Sequence, residues 1–145
     1  MSLAGKRIAI TGGAGFIGTT LARRLVDENE VLSIDNLHRD ALTGTSLATH
    51  PNFRFEHADV LELERLTELV AGCTHLVHAA AIAGVDTVLA SPVRTMRVSM
   101  IGTYNALEAA LATQGTLERM VEFSTSEVFG AHAFNVGEGQ VTTIG

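Results

Sequence analysis

The chain has 145 residues, about the length of one domain, of which 46% are hydrophobic and 18% charged. Its net charge of −6 excludes binding to nucleic acid through a basic surface, because such surfaces need clustered Lys and Arg. The single cysteine, Cys73, excludes an intramolecular disulfide and a multi-cysteine zinc site, and no apolar run approaches the ~20 residues of a membrane span. We therefore expect a folded domain of the cytoplasm that binds neither nucleic acid nor membranes.

Short β-branched runs alternate with longer helical patterns along the chain. The predicted strands cover 7–11, 30–35, 52–58, 74–79 and 119–124, and the predicted helices cover 16–26, 61–70 and 92–113. Loops are expected at 41–51 and 130–145. The alternation predicts an α/β fold, a doubly wound parallel sheet of order 3-2-1-4-5 with helices on both faces. Because the pattern ends in a loop after strand five, we expect a sheet that is truncated before its sixth strand.

Apolar side chains recur along one side of the last predicted helix. They are Met96, Met100, Tyr104, Leu107 and Leu111. The favoured interpretation is that this stripe packs on the sheet, because amphipathic helices mostly bury their apolar side. The alternative is a contact surface between two copies of the chain.

A glycine-rich turn joins the first strand to the first helix. The sequence TGGAGFIG places Gly12, Gly15 and Gly18 in a G-x-x-G-x-x-G pattern between a strand and an amphipathic helix. The first glycine permits a tight turn, the middle one lets backbone approach a pyrophosphate, and the last lets helix and strand pack closely. The helix N-terminus offers free N–H groups to the phosphates. The turn therefore predicts a dinucleotide site.

A carboxylate ends the second predicted strand, where the adenosine ribose of a bound dinucleotide is expected. Asp35 would accept hydrogen bonds from the ribose hydroxyls, and its charge would repel a 2′-phosphate. The predicted cofactor is therefore NAD rather than NADP, although Arg39 shortly afterwards weakens that preference. The alternative is a glycine-rich turn followed by an unrelated surface Asp.

Six histidines raise the question of a metal site. His75 and His78 are expected on opposite faces of one strand, and the H-E-x-x-H motif does not occur, so no metal is predicted. His78 is instead expected to pack beneath the cofactor, and Cys73 to be a small buried residue.

Several motifs follow one another in a specific order. They are TGGAGFIG, Asp35-Asn36-Leu37, His57-Ala58-Asp59-Val60, His78-Ala79-Ala80-Ala81, GTYNALEA from Gly102 and STSEVFG from Ser124. Together they resemble the extended short-chain dehydrogenase/reductase superfamily, and more narrowly its NAD-dependent sugar-nucleotide epimerases, dehydratases and decarboxylases. The resemblance covers about residues 6–130. It implies a Rossmann-type NAD-binding domain at 1–130 and a loop at 131–145 that leads to an absent catalytic and substrate part.

The resemblance also implies roles for individual residues. It places the pyrophosphate at Gly12, Gly15, Phe16, Ile17 and Gly18, the adenosine ribose at Asp35 and Asn36, adenine at Asp59 and Val60, and the nicotinamide side at Ala79, Ala80, Ala81, Ser99 and Ser124. It places Thr125 against the sugar hydroxyl, and Ser126 and Glu127 where the dehydratases carry an acid–base pair. This Thr-Ser-Glu run is also similar to the UDP-glucuronate decarboxylase pattern. The alternative for Ser126 and Glu127 is a polar turn.

The chain departs from the family pattern at the catalytic base. The family's Tyr-x-x-x-Lys does not occur, since the one tyrosine, Tyr104, is followed by Glu108, and the one lysine, Lys6, precedes the first strand. Ser99 also stands where the family commonly has Asn, and Phe129 replaces its usual Tyr. We therefore interpret the chain as the N-terminal part of a longer enzyme, inactive by itself, rather than as a catalytically dead module.

The implied function is modification of a UDP- or dTDP-linked sugar with NAD as cofactor, by a full-length enzyme that forms a homodimer. Within that class, 4-epimerisation ranks first, followed by decarboxylation or dehydration. Two other functions stay open at this point. One is a non-catalytic NAD-binding module for regulation or assembly, and the other is an NAD(P)-dependent carbonyl reductase. Glu127 favours sugar chemistry over the latter.

Overall fold

The computed structural model describes residues 3–125 and residue 128. The elements in chain order are β1 (Arg7–Thr11), α1 (Phe16–Leu25), β2 (Glu30–Asp35), β3 (Phe53–His57), α2 (Leu63–Val70), β4 (His75–His78), α3 (Val85–Ala90), α4 (Pro92–Ala112) and β5 (Arg119–Glu122). A 3₁₀ turn at Ser46–Thr49 lies between β2 and β3. Every predicted strand and helix is present, with small differences at its ends. Ser126, Glu127, Phe129 and the loop expected from 130 to 145 lie outside the described residues.

The five strands form one parallel sheet in the order β3-β2-β1-β4-β5, which confirms the predicted doubly wound fold. In the central strand β1, the last residue, Thr11, is level with Ile34 of β2 and with His78 of β4. Because parallel strands end at the same edge, the segments that follow β1, β2 and β4 lie side by side. The direction of winding reverses between β1 and β4, which is where open α/β sheets form their ligand clefts.

Each face of the sheet has its own hydrophobic core. One core joins the sheet to α1 and to the segment between β2 and β3, and includes Ile8, Ile10, Ala22, Val31, Leu42, Leu47 and Val77. The other joins the sheet to α2 and α4, and includes Ala9, Leu32, Ile34, Leu66, Val70, Leu76, Ala106 and Ala109. Cys73 is fully buried in this second core, as expected. The loop predicted at 41–51 is therefore anchored to the domain by two buried leucines.

Helix α4 turns its small residues toward the sheet. Its buried residues are Gly102, Asn105, Ala106, Ala109 and Ala110. The stripe predicted to pack on the sheet is exposed instead, with accessibilities between 53% and 61% for Met96, Met100, Tyr104, Leu107 and Leu111. That prediction is therefore wrong. The physical reason is close approach, because a Cβ on Gly102 would lie 2.8 Å from Val60 Cγ2, so no side chain fits at that position unless the helix moves outward.

Helix α3 has no counterpart in the sequence prediction. It is six residues long and contains no buried residue, and its Val85 and Leu89 are each 74% exposed. A helix without a buried side has no amphipathic period, so hydrophobic periodicity does not detect it.

Candidate functional site

A cleft of about 320 Å³ opens at the carboxyl edge of the sheet, among the segments that follow β1, β2 and β4. The predicted cofactor residues that line it are Gly12, Gly15, Phe16, Ile17, Gly18, Asp35, Asn36, Val60, Ala79, Ala80 and Ala81. These residues come from separate stretches of the sequence, and the sheet brings them together. The volume is within the range of small-molecule sites, roughly 300–1,000 Å³.

The glycines of the turn after β1 have different reasons to lack a side chain. Gly12 has a φ of +69°, and a Cβ on it would lie 2.8 Å from backbone atoms of Ala79 and Ala80. A Cβ on Gly18 would lie 2.3 Å from the Gly12 carbonyl oxygen. On Gly15, which lines the cleft, a Cβ would meet only that same oxygen, at 3.2 Å. Gly12 and Gly18 therefore serve packing, while Gly15 keeps backbone accessible to a ligand.

The N-terminus of α1 faces the same cleft. The helix begins at Phe16, and no described side chain caps it. Its first N–H groups have no partner within the helix and carry the positive end of the helix dipole. Phe16 is 80% exposed and Ile17 is 53% exposed, and both line the cleft. This end of α1 therefore fits a phosphate group between apolar side chains.

Asp35 is fixed at the end of β2 by two backbone donors. One carboxylate oxygen accepts the Ala14 N–H at 3.1 Å, and the other accepts the Leu37 N–H at 2.7 Å. Burial raises the pKa of Asp35, while backbone hydrogen bonds oppose that shift. Leu37 has a φ of 58°, in the left-handed region that few residues other than glycine adopt. The carboxylate is thus held in one orientation, and it fits the paired hydroxyls of a ribose.

Residues behind the cleft wall position those that line it. Asn36 donates its amide to Asp59 Oδ2 at 2.9 Å, and Asp59 Oδ1 accepts the Leu61 N–H at 3.0 Å. Asp59 does not itself line the cleft. Asn105 of α4 is buried and donates to the Val60 carbonyl oxygen at 2.8 Å. Asp59 and Asn105 therefore hold the segment that carries Val60 in place.

Arg39 links two segments that border the cleft. Its Nη2 donates to the Ala83 carbonyl oxygen at 2.8 Å and to Thr87 Oγ1 at 3.3 Å. Among the described residues, the hydrogen bonds of Arg39 thus go to the segment around α3. The Asp35 carboxylate is bonded to backbone N–H groups and not to Arg39. The guanidinium therefore holds α3 against the segment that follows β2.

A model of the NAD dependent epimerase/dehydratase family matches residues 8–143 of the chain. The chain belongs to this family. It is 35% identical over 129 residues to the low-salt glycan biosynthesis protein Agl12 of Haloferax volcanii, a match that covers 85% of the chain and 40% of that protein. It is 35% identical over 132 residues to the UDP-N-acetyl-alpha-D-glucosaminuronate decarboxylase of Bacillus cytotoxicus, covering 86% of the chain and 38% of the decarboxylase. The chain thus spans about two fifths of the length of these relatives.

Solved structures of epimerases and dehydratases share the fold. DesIV, a dTDP-glucose 4,6-dehydratase from Streptomyces venezuelae solved with NAD and TYD bound, gives a TM-score of 0.76 at 30% identity, covering 86% of the chain and 41% of DesIV. A UDP-N-acetylglucosamine 4-epimerase from Methanobrevibacter ruminantium M1 gives a TM-score of 0.85 at 24% identity, covering 97% of the chain and 45% of the epimerase, and shows the fold alone. The predicted cofactor, NAD, is confirmed as the cofactor of the family.

Some predicted site residues do not line the cleft. Ser99 is half-buried on α4, and Ser124 and Thr125 are exposed after β5. None of these three belongs to the cleft lining described above. The Thr125 carbonyl oxygen accepts the Val128 N–H at 3.4 Å. Ser126 and Glu127 lie outside the described residues, so the catalytic roles predicted for residues 125–127 stay predictions.

The cleft also contains residues to which the motifs assign no role. They are Ile34, His38, Ala58, Ile82, Ala83, Arg94 and Val98. Arg94 and Val98 lie one turn apart near the start of α4, and this spacing places both on one side of the helix. The parallel topology is the feature that could have identified Arg94 and Val98 as cleft residues. A helix that follows β4 in a parallel sheet begins at the carboxyl edge, beside the glycine turn.

Among the described residues, neither Tyr104 nor His78 is suited to act as a general base. A hydrogen bond with Glu108 raises the pKa of the exposed Tyr104, whereas a tyrosine base needs a lowered pKa. Burial lowers the pKa of His78 to about 4, and its Nδ1 lies 2.6 Å from Thr11 Oγ1. His78 precedes Ala79, which lines the cleft, but is not itself a lining residue.

Neither a metal-binding cluster nor a membrane-spanning helix occurs in the described part of the chain. Within it, no group of three or more His, Cys, Asp or Glu residues is placed to hold a metal ion. No helix in the same part is long and apolar enough to cross a membrane.

Proposed function

We propose that this chain is the NAD-binding portion of an enzyme that modifies a nucleotide-linked sugar. The observation that carries the proposal is the cleft itself, which joins an uncapped helix N-terminus, a bare glycine and an oriented carboxylate at one sheet edge. These are the groups that a diphosphate and a ribose require. Membership of the NAD dependent epimerase/dehydratase family supports it.

Different residues of the chain bind different parts of the dinucleotide. The N–H groups at the start of α1 bind the diphosphate, and Gly15 lets the ligand approach the backbone. Asp35 and Asn36 bind the adenosine ribose, Val60 contacts adenine, and Ala79, Ala80 and Ala81 border the nicotinamide half. The apolar side chains of Phe16 and Ile17 exclude water from the diphosphate. A bound nicotinamide supplies a hydride acceptor for transient oxidation of the sugar.

The proposed substrate is a UDP- or dTDP-linked sugar, and the proposed reaction is 4-epimerisation. Decarboxylation and dehydration are the further candidates, because the chain is 35% identical to the decarboxylase of Bacillus cytotoxicus and 34% identical to a dTDP-glucose 4,6-dehydratase of Streptomyces niveus. Thr125, Ser126 and Glu127 are the residues that we propose to act on the sugar. Since Tyr-x-x-x-Lys does not occur in the sequence, we propose that the chain binds NAD without completing the reaction alone.

We further propose that the enzyme is a homodimer of the cytoplasm. The exposed apolar stripe of α4 supports the dimer, because contiguous apolar surface of this kind favours association. The single buried cysteine is compatible with a reducing compartment.

Titration calorimetry with NAD and with NADP tests the proposed function. The chain is expected to bind NAD more tightly than NADP, because Asp35 repels a 2′-phosphate. Asp35→Ala should weaken NAD binding by about 10- to 100-fold, the value of one or two charged hydrogen bonds.

Asp40→Ala is the matched control for that experiment. Asp40 also accepts backbone N–H groups, from Leu42 and Thr43, but it is exposed and does not line the cleft. This variant removes the same charge and should bind NAD like the wild-type chain. Equal affinity of the Asp35 and Asp40 variants for NAD would reject our placement of the ribose.

A further inference from the structure

The cleft must neutralise an anion although the chain as a whole is acidic. A dinucleotide carries two negative charges on its diphosphate, and the chain has a net charge of −6. The helix dipole of α1 contributes the equivalent of only about half a positive charge. A cationic side chain at the cleft would therefore add substantially to binding. Two arginines line it, Arg39 and Arg94.

The two arginines differ in how they are engaged. The Arg39 guanidinium donates to the Ala83 carbonyl oxygen and to Thr87 Oγ1. These hydrogen bonds occupy guanidinium donors of Arg39 and hold α3 in place. Arg94 forms no hydrogen bond or ion pair with any residue in the described part of the chain, and its exposed side chain borders the cleft from the first turn of α4. Its guanidinium is thus available to a ligand.

We propose that Arg94 is a diphosphate-binding residue of this cleft. It approaches the dinucleotide from α4, while the N-terminus of α1 approaches it from the glycine turn. A guanidinium offers paired N–H donors that match two phosphate oxygens, and such charged hydrogen bonds are stronger than neutral ones. The inference rests on the proposed function, and it assigns this residue to the NAD diphosphate rather than to the diphosphate of the sugar nucleotide. The reason is that Arg94 shares the cleft with Gly15 and Asp35.

Arg97 provides the matched control. It lies on the same helix, is also exposed, and has no ion-pair partner among the described residues, but it does not line the cleft. Arg94→Gln and Arg97→Gln therefore make the same change of charge at two positions of α4. An effect of overall charge would appear in both variants, whereas a contact with the ligand would appear in one.

Calorimetry on the 145-residue chain with three ligands separates the possibilities. Arg94→Gln should weaken NAD binding about tenfold, leave adenosine binding unchanged because adenosine has no phosphate, and reduce the salt dependence of NAD binding. Arg97→Gln should match the wild-type chain, and Arg94→Lys should keep part of the affinity. UDP-glucose identifies the source of the diphosphate, since a loss confined to UDP-glucose would overturn the assignment to NAD.

The failures of the two proposals are distinguishable. A wild-type chain that binds NAD together with an Arg94→Gln variant of equal affinity rejects the role of Arg94 and leaves the NAD-binding proposal standing. A wild-type chain that binds neither NAD nor adenosine rejects both. Because Arg94 is exposed, Arg94→Gln is expected to unfold in urea at the same midpoint as the wild-type chain. An unchanged midpoint would show that a loss of affinity does not come from a loss of folding.

Discussion

The glycine turn after β1 and helix α4 both depend on close approach between backbone and a neighbour, but they present opposite surfaces. At the turn, Gly12 touches Ala79 and Ala80, and the space beyond Gly15 is a cleft. At α4, Gly102 and the alanines pack against Val60 and the sheet, and the far side of the helix exposes large apolar side chains to solvent. Small residues therefore mark buried contacts in both regions, while large apolar residues mark a surface.

Residue size therefore matters as much as polarity for what lies inside this domain. The side of α4 that faces the sheet carries glycine and alanines together with Asn105, so burial of Leu or Met there would require the helix to move outward. At the turn, the lack of a side chain on Gly15 leaves space for a ligand. One region is thus shaped for a small molecule, and the other keeps an apolar surface that the described residues do not cover.

Gly12→Ala should lower stability the most, because it adds a side chain where the turn lies against neighbouring backbone. A methyl group would meet backbone of Ala79 and Ala80 at 2.8 Å, and alanine is strained at a φ of +69°. We expect a loss of about 2–5 kcal/mol in the free energy of unfolding, from overpacking and left-handed strain together. Urea denaturation measures the loss.

Gly5→Ala is the control for that variant. Gly5 has the same φ of +69°, but a Cβ on it would meet nothing within 4 Å. It should lose only the strain component, about 1–2 kcal/mol. If both variants lose the same amount, the contact with Ala79 and Ala80 contributes nothing to stability.

The next expected effect is a pH dependence of stability that comes from His78, which lies beside Thr11 at the carboxyl ends of β4 and β1. Burial lowers the pKa of His78 from 6.5 to about 4. As the pH falls below 6.5, His78 takes up a proton in the unfolded chain, whereas in the folded chain it does so only near pH 4. The folded state therefore loses stability between these two pH values. The loss should approach about 3 kcal/mol, since each unit of pKa is worth about 1.4 kcal/mol.

Urea denaturation between pH 7 and pH 4 tests this, with His78→Gln as the comparison. The variant cannot take up a proton at this position, so its stability should fall less steeply than that of the wild-type chain. Burial raises the pKa of Asp35 in the fold, and this group favours folding as the pH falls in both proteins. The difference between the two slopes therefore isolates His78, and parallel slopes would contradict the prediction.

The sequence predicts the glycine turn and the strand order well, because the motif displays the chemistry of the turn and the strand–helix alternation indicates the order. Gly12 and Gly18 occupy positions where a Cβ would collide with backbone, and the spacing of these glycines and of Asp35 relative to β1 and β2 is visible in the sequence. The orientation of α4 is a different problem. Its period identifies two opposite sides, one of large and one of small residues, and nothing local shows that Val60 leaves room for only the small ones.

The remaining misses have a related cause. Arg94 belongs to no motif, and its place in the cleft follows from the parallel topology rather than from neighbouring residues. The resemblance places Asp59 against adenine; in the structure its side chain bonds Asn36 and the Leu61 N–H and does not belong to the cleft lining, so that role stays a prediction. Residues whose position depends on two or three packed elements are thus the ones that the sequence leaves undecided.

The smallest of the predicted effects separates the two sides of α4 with adjacent residues. Ala106 is fully buried and Leu107 is 53% exposed. Ala106→Leu should cost about 1–3 kcal/mol by overpacking, although leucine is almost as good a helix former as alanine. Leu107→Ala should change the free energy of unfolding by about 0.5 kcal/mol or less, because its side chain packs on little in the folded chain. The reverse order of the two losses would mean that α4 packs on the sheet through its large residues. If Leu107→Ala instead lowers stability only at high protein concentration, the stripe is buried between two copies of the chain, and the small residues still form the inner side of the helix.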